Sequence, residues 1–238
     1  HSLSTSAESP TSNMQSVLLL LSFLLLSHGG ASGASDVVVD GNGDEVKAGQ
    51  LYYVWPPLIG NDGLFLGSQK ESCPLYVVSA IASTHNPDPL AFFPENSSVH
   101  SQDPVREGDT LFIKFSIPTA CPQSSVWNYD VETSFVGTGG TTAPASGPNY
   151  SRFAIFKSEV PHPPHNTTYY FKSCPCGVGV ESPTCRMGCL TSLGLNNFNG
   201  HFVLSGSGNN GNDWVFVKAQ KEGAMGSKIR PVASRAKA

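Results

Sequence analysis

Residues Val38 to Val54 read Val-Val-Asp-Gly-Asn-Gly-Asp-Glu-Val-Lys-Ala-Gly-Gln-Leu-Tyr-Tyr-Val. An acidic, turn-forming run, Asp40-Gly41-Asn42-Gly43-Asp44, separates two apolar positions, Val38 and Val46. Asp and Asn favour such turns because their short side chains bond nearby backbone, and Gly accepts positive φ. After a short spacer comes Leu51-Tyr52-Tyr53-Val54, whose aromatic and β-branched residues suit a strand.

The same alternation of short runs and punctuation continues along the chain. The runs are Leu51–Trp55, Leu64–Gly67, Leu75–Ser79, Leu90–Phe93, Thr110–Phe115, Val126–Val131, Thr133–Val136, Arg152–Lys157, Thr168–Ser173, Leu190–Leu195, His201–Ser205 and Trp214–Ala219. Many strands at short spacing with turn signals between them predict a sandwich or barrel. No window of helical length beyond the N-terminal apolar run has a clean 3.6-residue apolar period. Composition agrees: charged residues are 13%, while Gly (24) and Pro (18) are plentiful and interrupt helices. A chain of 238 residues can bury a full core. The expectation is one all-β domain over residues 36–219.

The flanks read differently. Residues 1–13 begin without Met and read as a leader or untranslated-region-derived segment. Residues 14–35 read as a secretory signal peptide. The apolar run Val17–Leu26 is too short to cross ~30 Å of bilayer, and small residues follow it. No basic residue stands between Met14 and Val17, which departs from that pattern. Residues 220–238 are polar, basic and without pattern, as expected of a flexible tail. The net charge is −4, and six of the fourteen Lys and Arg residues lie at or beyond Lys218. Neither nucleic acid, which needs a basic stripe, nor a membrane is expected as a partner.

The six cysteines are Cys73, Cys121, Cys174, Cys176, Cys185 and Cys189. An even count in an oxidising compartment reads as three disulfides, with fifteen pairings open. A zinc site on Cys174-Pro-Cys176 and Cys185-x-x-x-Cys189 is the alternative, but its spacing departs from the usual knuckle.

Other motifs carry no chemistry. Gly206-Ser-Gly208-Asn-Asn-Gly211 precedes a strand, whereas a dinucleotide site needs a helix there, so it reads as a Gly-rich hairpin turn. The Asp40–Asp44 run has Glu45 where a calcium loop needs Gly and Leu51 where it needs Glu. His162-Pro-Pro-His165 is stiffened by proline, has no carboxylate within the motif and reads as a surface loop. No nucleophile elbow or Cys–His pairing exists, so no enzyme, metal or cofactor is expected. Three sequons, at Asn96, Asn149 and Asn166, are credible glycan acceptors in exposed loops.

The opening stretch resembles the N-terminal signature of plant Kunitz-type (soybean trypsin inhibitor) proteins. The matching residues are Val38, Asp40, Asn42, Gly43, Asp44, Val46, Tyr52 and Val54. Cys73-Pro-Leu-Tyr-Val-Val is similar to the family's first cysteine and third strand, and Leu111–Phe115 to the strand after the inhibitory loop. Val126-Trp127 resembles its tryptophan strand, and Tyr169–Cys174 the strand with the third cysteine. The resemblance implies a β-trefoil of three four-stranded repeats, which the twelve runs would supply. It also implies the pairs Cys73–Cys121 and Cys174–Cys189, with Cys176–Cys185 nested inside as in miraculin-like members. A monomeric, cofactor-free protease inhibitor would be the product.

In that family the loop between the fourth and fifth strands enters a serine protease as a substrate would. Here it spans 94–101, so the resemblance makes Glu95, Asn96, Ser97, Ser98, Val99 and His100 the reactive-site loop, with Asn96 or Ser97 entering the specificity pocket. A trypsin-type pocket presents a carboxylate and needs Arg or Lys. The loop has neither near its tip; Arg106, the one basic residue between the two strands, falls too late. The expected partner is therefore an elastase- or subtilisin-like serine protease. Ala48 stands where family inhibitors carry a loop-bracing Asn, which predicts a less rigid loop. The competing reading is a non-inhibitory storage, defence or carbohydrate-binding relative.

Overall fold

The structure, a computed structural model, describes residues 35–57, 63–67, 73–79, 87–96, 98–119, 121–143, 147–178, 188–198, 200–207 and 211–219. Expectations for residues 1–34, for the tail at 220–238, and for Ser97 and Cys185 lie outside the described residues.

Among the described residues there are twelve strands and no helix. They are β1 (Leu51–Trp55), β2 (Phe65–Gly67), β3 (Tyr76–Ser79), β4 (Leu90–Pro94), β5 (Leu111–Phe115), β6 (Trp127–Tyr129), β7 (Val136–Thr138), β8 (Phe153–Lys157), β9 (Tyr169–Ser173), β10 (Gly194–Phe198), β11 (His201–Ser205) and β12 (Val215–Lys218). Six form an antiparallel sheet in the order β12-β1-β4-β5-β8-β9. Tyr169 in β9 and Trp214, just before β12, exchange backbone hydrogen bonds of 2.9 and 2.7 Å. That exchange closes the sheet into a barrel, which leaves no barrel edge open to pairing.

The other six strands form the hairpins β2–β3, β6–β7 and β10–β11, which meet through β3. Each set of four consecutive strands gives its outer two to the barrel and its inner two to a hairpin. Three such sets make a β-trefoil.

Burial follows the period of two that a strand imposes. β1 buries Tyr52 and Val54 and leaves its other residues partly exposed. The Phe92 ring of β4 lies 6.1, 6.5 and 5.2 Å from the rings of Tyr52, Phe171 and Phe216. Trp127, fully buried, reaches Phe115, Phe153 and Phe171 at 6.0, 5.6 and 5.4 Å. Each such ring contributes roughly 1.5–3 kcal/mol of burial.

Three expectations need adjusting. The run Thr133–Val136 enters its strand late, because Asp130 closes a turn ahead of it. Its Oδ1 accepts from Glu132 N at 2.9 Å, and its Oδ2 accepts from Thr133 Oγ1 at 2.9 Å. Pairing with β6 then begins at Val136. In Leu190–Leu195 the first residues follow β9, with Leu190 N donating to Ser173 O and Leu193 N to Phe171 O. The hairpin strand is instead Gly194–Phe198, which intrinsic propensity disfavours and pairing with β11 imposes. Finally, the strands flanking the Gly206–Gly211 run, whose residues 208–210 lie outside those described, do not form a hairpin with each other: β11 pairs with β10 and β3 while β12 pairs with β1.

Cys73 is bonded to Cys121 and Cys174 to Cys189, as the resemblance implied. Cys176 is also disulfide-bonded; its expected partner, Cys185, is outside the described residues.

The opening signature is a strap on the barrel. Asp40, 5% exposed, accepts from Asn42 N and Asp44 N at 2.9 and 3.0 Å through Oδ1. Gly43 in that turn has φ +88°, which favours glycine. The Tyr52 hydroxyl accepts from Lys47 N and the Tyr169 hydroxyl from Val39 N, both at 2.9 Å. Burial pushes both phenols above their usual pKa. Val38 N donates to Val105 O, and Val105 N to Val46 O, at 2.9 and 2.8 Å. The strap therefore lies against the segment that leaves the loop.

Candidate functional site

The loop begins where β4 ends and finishes where β5 starts. The pairs Phe93↔Phe112 and Pro94↔Leu111 set its base. Beyond them Glu95 N donates to Thr110 O at 2.8 Å, so Glu95 and Thr110 are its two roots. Asn96, Ser98, His100 and Ser101 are exposed and Val99 is half-buried.

Two successive turns shape the tip. Asn96 Oδ1 accepts from Ser98 N at 3.0 Å and from Ser98 Oγ at 2.8 Å, while Val99 N donates to Asn96 O at 3.0 Å. Asp103 Oδ2 then accepts from His100 N at 2.7 Å, and Asp103 N donates to His100 O at 3.1 Å. Such side-chain-to-backbone bonds hold a turn without help from the core.

Ala48 meets the segment beyond the loop through its main chain: Gln102 N donates to Ala48 O at 2.9 Å, and Ala48 N donates to Asp103 O at 2.8 Å. Its methyl group offers the tip no hydrogen bond. Gly49, at φ +73°, lets the strap approach: a Cβ there would lie 3.3 Å from Ser101 Oγ. Arg106 is bridged to Val37 in the strap, away from the tip. Asp109, beside the Thr110 root, has its carboxyl pushed up by burial, an effect that Arg106 partly offsets.

Glu95 differs from the other expected contact residues. Its carboxylate is engaged by Arg152, whose Nε donates at 2.8 Å to Oε1. Arg152 was not singled out from the sequence. The available signal was scarcity, since only eight Lys and Arg residues lie between Asp36 and Val217.

The three sequons divide. Asn96 and Asn166 are exposed, and the Asn96 side chain uses only Oδ1 in its turn. Asn149 is corrected: it is 6% exposed, its Nδ2 faces Thr141 O and Ala143 O, and its Oδ1 accepts from Ser151 N at 3.0 Å. The nitrogen that would carry a glycan is turned inward.

His162 is corrected too, because the fold brings it a carboxylate from 51 residues along the chain. Asp213 Oδ2 lies 2.5 Å from His162 Nε2 and accepts from Ser158 Oγ at 2.7 Å. The carboxylate sits between serine and imidazole, so the imidazole is not placed to take the serine's proton as a nucleophile's base must. No group of three or more metal-ligating side chains occurs among the described residues.

A family model named for legume Kunitz proteins and described as "Trypsin and protease inhibitor" matches residues 38–218. A trypsin/chymotrypsin inhibitor of Alocasia macrorrhizos is 46% identical over 187 residues, covering 78% of this chain and 98% of the relative. The crystal structure of alocasin, a protease inhibitor from giant taro, superposes with a TM-score of 0.67 at 45% identity, covering 78% of this chain and all of that one. A Kunitz-type elastase inhibitor of Bauhinia rufa is 32% identical over 112 residues, covering 43% of this chain and 75% of the relative.

Proposed function

The chain belongs to the Kunitz family of trypsin and protease inhibitors, a family of inhibitors and not of enzymes, and from that premise we propose that it inhibits a serine protease other than trypsin through the loop at 94–101. The observation that carries this reading is the loop itself. Its described tip residues Asn96, Ser98 and His100 are exposed, yet two local turns tie them and the strap holds the segment that follows. A segment ordered before binding loses little entropy on entering a protease, which favours affinity.

The chemistry of the tip supports the choice of target. No Lys or Arg occurs from Leu90 to Val105, so a trypsin-type pocket would keep a buried carboxylate unpaired. A pocket for small or uncharged side chains has no such penalty, and one relative is an elastase inhibitor. Secretion is part of the proposal, supported by the two disulfides described.

The test is titration against trypsin, chymotrypsin, elastase and subtilisin, before and after enzymatic deglycosylation. Inhibition of an elastase- or subtilisin-like enzyme, strengthened on removing a glycan from Asn96, is expected. A folded protein that inhibits none of the four would reject the reading. Peptide mapping of the same sample should find glycan at Asn96 and Asn166; occupancy at Asn149 would contradict its burial.

A further inference from the structure

We propose that Arg152 is a positioning residue for the inhibitory loop, fastening its root to the disulfide-held turn at Pro175–Val178. The inference rests on the loop assignment above and adds the device that sets the loop's angle. Arg152 stands immediately before β8, 57 residues from Glu95. Its Nε and Nη2 both reach Glu95 Oε1, and its Nη1 donates to Pro175 O at 3.2 Å. One planar guanidinium thus holds a loop root with one side of its fork and the turn with the other.

Arg152 is itself fixed. Cys174 N donates to Arg152 O at 2.9 Å, and Arg152 N to Asn149 O at 3.1 Å. Pro175 O also accepts from Asn149 N at 2.8 Å. The opposite root is attached to the same turn, because Val178 N donates to Thr110 Oγ1 at 3.1 Å. Within this turn Cys174 is bonded to Cys189 and Cys176 is also in a disulfide. Two roots, themselves hydrogen-bonded to each other, are therefore tied to one covalently restrained segment.

An incidental surface ion pair would not meet these conditions. Arg152 and Glu95 side chains are 13% and 29% exposed, and Glu95 is one of the two residues at which the loop leaves the barrel, Thr110, held by Val178, being the other. The Asn96 and Asp103 turns shape the tip but do not hold Glu95. Without Arg152 the tip keeps its turns and loses its fixed direction.

The test uses Arg152→Ala, Arg152→Lys and Glu95→Met, read by amide hydrogen exchange at the two root amides, Glu95 (to Thr110 O) and Val178 (to Thr110 Oγ1), in the free protein and by the inhibition constant. Arg152→Ala should raise exchange at these amides and weaken inhibition by about tenfold or more, the factor carried by a lost hydrogen bond to a charged group. Arg152→Lys should restore only part, since an ammonium cannot serve both acceptors in a plane. Glu95→Met keeps the side-chain length but leaves Arg152 no oxygen acceptor at the root, and should reproduce the exchange change if Arg152→Ala does not fold. Unchanged exchange in the folded variants overturns the proposal, whether or not the protein inhibits. Raised exchange in a chain whose wild type inhibits nothing leaves the tie standing and rejects the loop's inhibitory role.

Discussion

Ser97→Arg is expected to give a trypsin inhibitor, with affinity for trypsin raised on the order of 100-fold or more. The magnitude is that of pairing a buried charge otherwise left without a partner. The wild-type loop presents trypsin's pocket carboxylate with no cation, because Lys and Arg are absent from Leu90 to Val105. Position 97 is the better choice of the two tip residues. Asn96 holds its own turn by accepting from Ser98 N and Oγ, and an Arg there would break the shape that carries it. The substitution keeps the Asn96/Ser98 sequon, so the comparison belongs on glycan-free protein. A folded variant with no gain would move the specificity position away from residue 97.

Phe92→Ala should be the most destabilising single change near the loop, at about 3–5 kcal/mol. Phe92 is fully buried and its ring packs on Tyr52, Phe171 and Phe216 at 6.1, 6.5 and 5.2 Å. Those rings come from β1, β9 and β12, so the cavity would open where several barrel strands converge. Its carbonyl, which accepts from Gly49 N at 2.9 Å, would remain. The midpoint temperature should fall by roughly 6–20 °C for a domain of this size. Phe93→Ala next to it, at a residue 39% exposed, should cost far less. Comparable losses at the two positions would show that the ring is not a shared plug.

The strands were legible because local rules and tertiary structure agree there. Leu51–Trp55 is a run of aromatic and branched residues in sequence and buries Tyr52 and Val54 on one face in the fold. The loop was legible for the same reason, since it lies between two such runs. What escaped reading depends on long-range pairing. Arg152 and Glu95 are 57 residues apart, and His162 and Asp213 are 51 apart, distances over which periodicity says nothing. Asn149 sits in a motif normally found at the surface, yet backbone carbonyls at 141 and 143 take up its amide.

The Cys73–Cys121 bridge has a bearing on what a protease can accomplish. The two cysteines are 48 residues apart and the loop lies between them. A cut at the tip would therefore leave the upstream and downstream pieces covalently joined. One new end would remain fastened at Glu95 by Thr110 and Arg152, and the other at Gln102–Val105 by Ala48 and Val46. Neither end can diffuse away, so each stays at a high effective concentration near the other. A nicked sample should run as one species on a non-reducing gel and as two after reduction. Two species without reductant would mean that the bridge does not span the cut. Severing a peptide bond here would rearrange one molecule rather than divide it in two.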